Sequence, residues 1–173
     1  MAVVRLNFVK KGAHERNMAK ANIRYIENRT GNDGAKIQRP LFHASGQITR
    51  QEAYEMIDQA IEGSTFFRVK ISPDPVKEDM EHDLLLREIT EKTMAIEEQL
   101  GKPILWVAAI HDDHTEKRHV HVLAVAKARL LPAKEMIQTA TDACGAQRKE
   151  LDLARTLRER EQERSDAQWE RQR

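Results

Sequence analysis

Two hydrophobic periods divide the chain. Alternation, or a short apolar run between turn formers, predicts a strand, while apolar residues recurring every three or four positions predict a helix. Residues 2–9 (AVVRLNFV) form the first strand-like run, closed by Lys10-Lys11-Gly12. A helix is expected over residues 14–28, stopping at Thr30-Gly31 because glycine commonly follows a helix end. The segment 31–46 (GNDGAKIQRPLFHASG) is rich in turn residues and reads as an excursion, with a short extended piece at residues 36–43. Thr49 opens a second helix running to Gly63, since Glu52 three residues on completes a capping box.

Residues 65–72 (TFFRVKIS) predict a strand broken by Pro73-Asp74-Pro75. A long helix over residues 76–100 carries Leu85, Ile89, Ile96 and Leu100 on one face and closes at Gly101-Lys102-Pro103. Two strands follow, residues 104–111 and 119–127, joined by the polar segment DDHTEKR. The last element is helical from Ala133 and heavily charged beyond Gln147. The order β-α-α-β-α-β-β-α implies an α+β domain, a central antiparallel sheet with packed helices. Its core is drawn over residues 1–132, and residues 133–173 read as a charged helical extension, the start of a linker or a partner-binding helix.

Composition narrows the class. At 173 residues, 40% hydrophobic and 33% charged, the chain suits one globular domain with a highly charged surface. No apolar run approaches the roughly 20 residues of a membrane span. The N-terminus lacks the layout of a secretory signal, so a cytoplasmic protein is expected. Cys144 is alone, which excludes a disulfide framework or a cysteine-built zinc site. The net charge of +1 hides an asymmetry: residues 1–50 carry ten Lys/Arg against three Asp/Glu (+7), and residues 51–100 carry five against thirteen (−8). That split suggests a basic face able to meet phosphates, with acidic helices elsewhere; an ordinary mixed surface is the other reading.

The chemistry concentrates in residues 106–122, WVAAIHDDHTEKRHVHV. Side chains alternate faces along a strand, so His119 and His121 share a face. A hairpin centred on Thr115 sets His111 directly opposite His119, with Cβ atoms about 4.5–5.5 Å apart. Three imidazoles then converge on one patch, and three protein ligands leave open coordination positions, the arrangement of a catalytic ion. Asp112 and Asp113 stand close enough to accept the second ring N–H of a ligating histidine. His14, His43, His82 and His114 have no such partners and read as ordinary polar residues.

The set His111, His119-Val120-His121 and the N-terminal Arg24-Tyr25-Ile26 resembles the HUH endonucleases, specifically mobilisation and conjugative relaxases (MobA/VirD2-like nuclease domains). Relaxases take their tyrosine from an early helix and their histidine motif from far downstream. This chain keeps that order, and no tyrosine follows His121. Residues 67–75 (FRVKISPDP) also look like the strand before the long helix in relaxases of integrative elements, so the likeness touches most of residues 1–130. Arg118 departs from it, standing where many relaxases have proline. The chain is also shorter than most members, and reads as an excised nuclease domain or a minimal relaxase.

The resemblance implies a HUH relaxase-like fold and a bacterial cytoplasmic enzyme of plasmid mobilisation. It would nick one strand of a transfer origin in single-stranded form, giving a 5′-phosphotyrosine and a free 3′-hydroxyl, reversible by religation. It implies a divalent metal on His111, His119 and His121, Mg²⁺ or Mn²⁺, with Zn²⁺ or Ni²⁺ as substitutes in crystals. Accessory relaxosome and coupling proteins are the implied partners, and no membrane is. Tyr25 is preferred over Tyr54 as nucleophile, because Tyr54 stands between Glu52 and Glu55, a setting that repels DNA. Lys20, Arg24, Arg29, Lys36 and Arg39 are the candidate DNA contacts. Phe42 has two readings, a base-stacking ring and a core residue. Two other classes stay open: a HUH-type DNA-binding or replication-initiation protein without covalent transfer, and a metal-dependent hydrolase that does not act on nucleic acid.

Overall fold

A computed structural model of the chain describes residues 3–8, 14–31, 34–60, 63–74, 83–95, 104–112, 118–127 and 133–171. Within them the strands are β1 (Val3–Phe8), β2 (Leu41–His43), β3 (Gly46–Ile48), β4 (Ser64–Ser72), β5 (Ile104–His111) and β6 (His119–Lys127). The helices are α1 (Glu15–Asn28), α2 (Arg50–Asp58), α3 (Asp83–Met94) and α4 (Ala133–Arg171). The six strands form one sheet in the order β1-β4-β6-β5-β2-β3, and every pairing in it is antiparallel. The coarse class expected from the sequence, α+β, is therefore the one observed.

Each face of the sheet has its own core. On one face Phe42, Phe67, Val69, Ile71, Trp106, Val120, Val122 and Ala124 pack with Leu86, Ile89 and Met94 of α3 and Cys144 of α4. On the other, Leu41, Phe66, Val107, Ala109, Leu123 and Val125 meet Ala19, Ile23 and Ile26 of α1 and Ala53 and Ile57 of α2. The alternation of valines and alanines with other apolar residues in β5 and β6 supplies both faces at once, as a strand covered on two sides requires.

Several expectations needed adjustment. The excursion after α1 contains a hairpin, β2–β3, in which Gly46 takes φ 115°, a conformation that residues with a Cβ rarely adopt. Helix α1 ends at Asn28, as the sequence predicts, because Arg29 turns extended (φ −60°, ψ 132°). Within the described part of the long helix, the buried positions are Leu86, Ile89, Thr90, Thr93 and Met94, a stripe at three- and four-residue offsets. Of the face drawn from the sequence only Ile89 is among them; the side chain of Leu85, and Ile96 and Leu100, lie outside the described residues. In the early part of α4, Ala140 and Cys144 are fully buried, and Cys144 packs in the core with α3. Farther along α4, Leu153 and Leu157 are exposed, so only the later part of this helix projects from the domain.

The capping box is present as expected. The Thr49 hydroxyl accepts from the Glu52 backbone N–H at 3.2 Å, and the Glu52 carboxylate accepts from the Thr49 N–H at 2.6 Å. The Thr49 N–H, and then the Thr49 hydroxyl donating to the same carboxylate at 2.8 Å, hold the Glu52 carboxyl below the usual range.

Candidate metal centre and nucleophile

The β5–β6 hairpin has the register drawn from its symmetry, with His111 opposite His119 and Ile110 opposite Val120. His121 then lies one step along the same face, opposite Ala109 on β5 and Lys70 on β4. The three rings converge. Their centroids stand 4.6 Å (His111–His121), 4.9 Å (His119–His121) and 5.5 Å (His111–His119) apart. One ligand atom from each lies within 4.8 Å of the others.

This donor set fits a divalent ion. Two nitrogens each about 2.0–2.1 Å from one tetrahedral ion sit roughly 3.3 Å apart, and His119 Nε2 lies 3.2 Å from His121 Nε2. His111 and His119 are fully buried and His121 is half-buried. Burial first, then the neighbouring His111 and His119, then Lys70 and Arg29, push the His121 pKa down to about 2. That imidazole is neutral at physiological pH, the form in which it can ligate.

Helix α1 is joined to this cluster by a hydrogen bond that sequence reading missed. His111 Nε2 lies 2.7 Å from the carbonyl of Ile26. A carbonyl can only accept, so Nε2 carries the proton and Nδ1 keeps the lone pair. Ile26 is in the last turn of α1, where carbonyls lack helical partners. Its neighbours are capped in turn: the Glu27 carbonyl accepts from the Arg39 N–H (2.8 Å) and the Arg29 carbonyl from Arg39 Nη1 (2.8 Å). The partner expected for a ligating histidine was Asp112 or Asp113. Asp112 is instead exposed and accepts from Arg118 at 3.4 Å. Asp113 lies outside the described residues.

The anchoring of α1 decides where Tyr25 sits. Its side chain is 46% exposed, and its ring stands edge-on to His121 with centroids 6.3 Å apart. The Arg29 guanidinium lies over the ring at 5.6 Å. Tyr54 differs: it is partly buried against the α1–α2 core, with the Lys20 ammonium 5.3 Å from its ring centroid. The two tyrosines are thus separated by environment, one solvent-facing beside the imidazoles, the other packed between helices.

The candidate DNA contacts divide as well. Arg24 and Lys36 are exposed, and Arg29 is half-buried beside Tyr25. Arg39 is buried and spent on the Arg29 carbonyl, so it braces α1 and does not present its charge to a ligand. Lys20 is held by Asp58 at 2.6 Å. Phe42 is a core residue, edge-on to Trp106 at 6.0 Å and capped by the Arg87 guanidinium. Burial settles that reading, because a base cannot reach the ring.

Two other cations, which the sequence reading did not single out, lie in line with His121 across the sheet. Lys70 is the cross-strand neighbour of His121, and Arg5 is the cross-strand neighbour of Lys70. Burial, then Arg5 and Arg29, hold the Lys70 ammonium below its usual range. The available signal was the alternation in Arg68-Val69-Lys70 and Arg5-Leu6-Asn7, but it becomes informative only when β1 is known to pair with β4. Comparisons of the chain with protein-family models, with curated proteins and with solved structures return no match. No helix among the described residues is long and apolar enough to cross a membrane.

Proposed function

We propose that the chain nicks single-stranded DNA by tyrosine transesterification, in the manner of a relaxase acting at a transfer origin. The observation that carries this reading is the exposed Tyr25 ring standing edge-on to His121 in a cluster of three imidazoles. A divalent cation held by His111, His119 and His121 would draw charge from the non-bridging oxygens of one phosphodiester. The chain's own residues supply the rest. His119 and His121 come from one strand and His111 from the next, so the ligand geometry is fixed by sheet pairing. The Ile26 carbonyl holds the His111 tautomer and ties the nucleophile's helix to the ligands through one bond.

Tyr25 attacks phosphorus through its phenol oxygen, its proton passing to solvent. The bond to the 3′-oxygen breaks, and that oxygen takes up a proton as a free hydroxyl. The new bond is a 5′-phosphotyrosine ester. It retains the phosphodiester's bond energy, so the reverse attack by the 3′-hydroxyl reseals the strand and restores the phenol.

The test is incubation with single-stranded oligonucleotides tiling the DNA that flanks the chain's own coding sequence, with Mn²⁺ or Mg²⁺. A denaturation-resistant protein–DNA adduct that disappears in Tyr25→Phe supports the reading. An adduct unchanged by that substitution moves the nucleophile to Tyr54. No adduct from any oligonucleotide sinks the nicking reading.

A further inference from the structure

The α1–α2 face of the sheet is covered only in part. Over β5 and β6 the helices bury it, but on β4 burial changes along the strand: Ser64 to Phe67 are buried, Arg68 is exposed, and Lys70 and Ser72 are half-buried. On β1, Val3, Arg5 and Asn7 on this face are exposed. An open half-sheet therefore begins beside His121 and runs to the β1 edge.

Its side chains carry one sign of charge. Register sets His121, Lys70 and Arg5 in a row across three consecutive strands, with Arg68 beside Asn7 in the adjoining row. Strand spacing of about 4.7–4.9 Å puts Arg5's backbone roughly 10 Å from that of His121. Among the described residues, Arg5, Arg29, Arg68 and Lys70 form no ion pair, while Lys20, Arg50 and Arg118 are each matched to a carboxylate. Cations left unmatched and facing one another repel, a cost the fold retains unless an anion lies on the row.

We propose that the open half-sheet is a phosphate track, in which Lys70 and Arg5 hold successive phosphates of the DNA strand whose scissile phosphate sits at the histidines. The inference rests on the nicking reading for the identity of the strand, but the track stands on its own geometry. Charge complementarity selects a polyanion over an apolar partner, since among the described residues of β1 and β4 no large apolar side chain except Val3 interrupts the exposed face. Beyond His121 the described residues of the row carry no aromatic ring, so recognition here reads backbone and not bases.

The experiment measures binding of a fluorescein-labelled oligothymidylate to the full chain across a salt series. Each phosphate contact with a single strand contributes about 0.7 to the slope of log affinity against log salt. Lys70→Gln and Arg5→Gln should each flatten the slope by about 0.7 and the double variant by about 1.4, while Lys70→Arg and Arg5→Lys keep it. Lys149→Gln on the exposed surface of α4 is the control and leaves it unchanged. Wild-type slope in both glutamine variants overturns the track even if the Tyr25 adduct forms. Flattened slopes without any adduct keep the track and sink the nicking reading, so the two failures are distinguishable.

Discussion

The two halves of the α1–α2 face of one sheet make an instructive contrast. Over β5 and β6 the strands present Val107, Ala109, Leu123 and Val125 to helices that bury them completely or nearly so. Over β4 and β1 the same face presents Arg5, Asn7, Arg68 and Lys70 without helical cover among the described residues. The histidines stand at the border. His111 and His119 are enclosed by the covered half, and His121 faces Lys70 of the open half. Under the proposed reading the cluster needs a dry side, which fixes tautomers and keeps imidazoles neutral, and a wet side through which a charged substrate would arrive. One strand, β6, provides both because the edge of the helical layer crosses it.

The border is the place where substitution should have the largest effect. Tyr25→Phe should reduce adduct formation to background while leaving the melting temperature and metal retention at wild-type values, read by gel shift under denaturing conditions and by calorimetric Mn²⁺ titration. His121→Ala should abolish metal retention and adduct together, as should chelation of the wild-type protein. If His121→Ala keeps both, the cluster is structural and the contrast loses its functional meaning.

The contrast in stability comes next. Leu123→Ala on the covered half leaves a cavity under α1 and α2 and should cost about 2–5 kcal/mol in denaturant unfolding. Arg68→Gln, on the open half of the same face, should stay within about 0.5 kcal/mol of wild type. Equal costs would mean that the open half is covered in solution.

A smaller loss is expected at the far end of α1. The buried Glu27 carboxylate accepts from Arg50, from Asn28 (3.0 Å) and from Gln38 (3.2 Å), joining α1 to α2. Its hydrogen bond is the main reason the Arg50 guanidinium holds its proton more tightly than usual. Glu27→Ala orphans these donors and should cost about 1–3 kcal/mol, with a further drop in adduct yield as the Tyr25 helix loosens. Thr49→Ala should cost about 1 kcal/mol for a lost N-cap. The Glu52 carboxyl in that cap is lowered, so the cap's ionised contribution is complete above the ordinary glutamate range. It fades as pH falls through the lowered value, so the gap between the thermal melts of wild type and Thr49→Ala should narrow in acid to what the Thr49 hydroxyl gains from the Glu52 N–H.

Much of the candidate site was legible in the sequence because it is local. His111 and His119 are separated by seven residues symmetric about Thr115, and period-two alternation places His121 on the same face. The strand boundaries of β5 and β6 and the Thr49–Glu52 cap follow from equally short-range rules. Phe42 and Arg39 were not legible. An aromatic and a cation in a turn-rich segment look available to DNA, and only the packing of that segment under Arg87 and the end of α1 shows both to be internal.

What the sequence by itself determined is the α+β class, the hairpin that gathers three imidazoles, and the choice of two tyrosines. Each depends on spacing within a single element or turn. Only the tertiary structure decided that Tyr25 stands beside His121, that the Ile26 carbonyl orients His111, and that Lys70 and Arg5 extend the row of His121. Those contacts join residues far apart in the chain, and no local period encodes which strands become neighbours or where a helical layer stops.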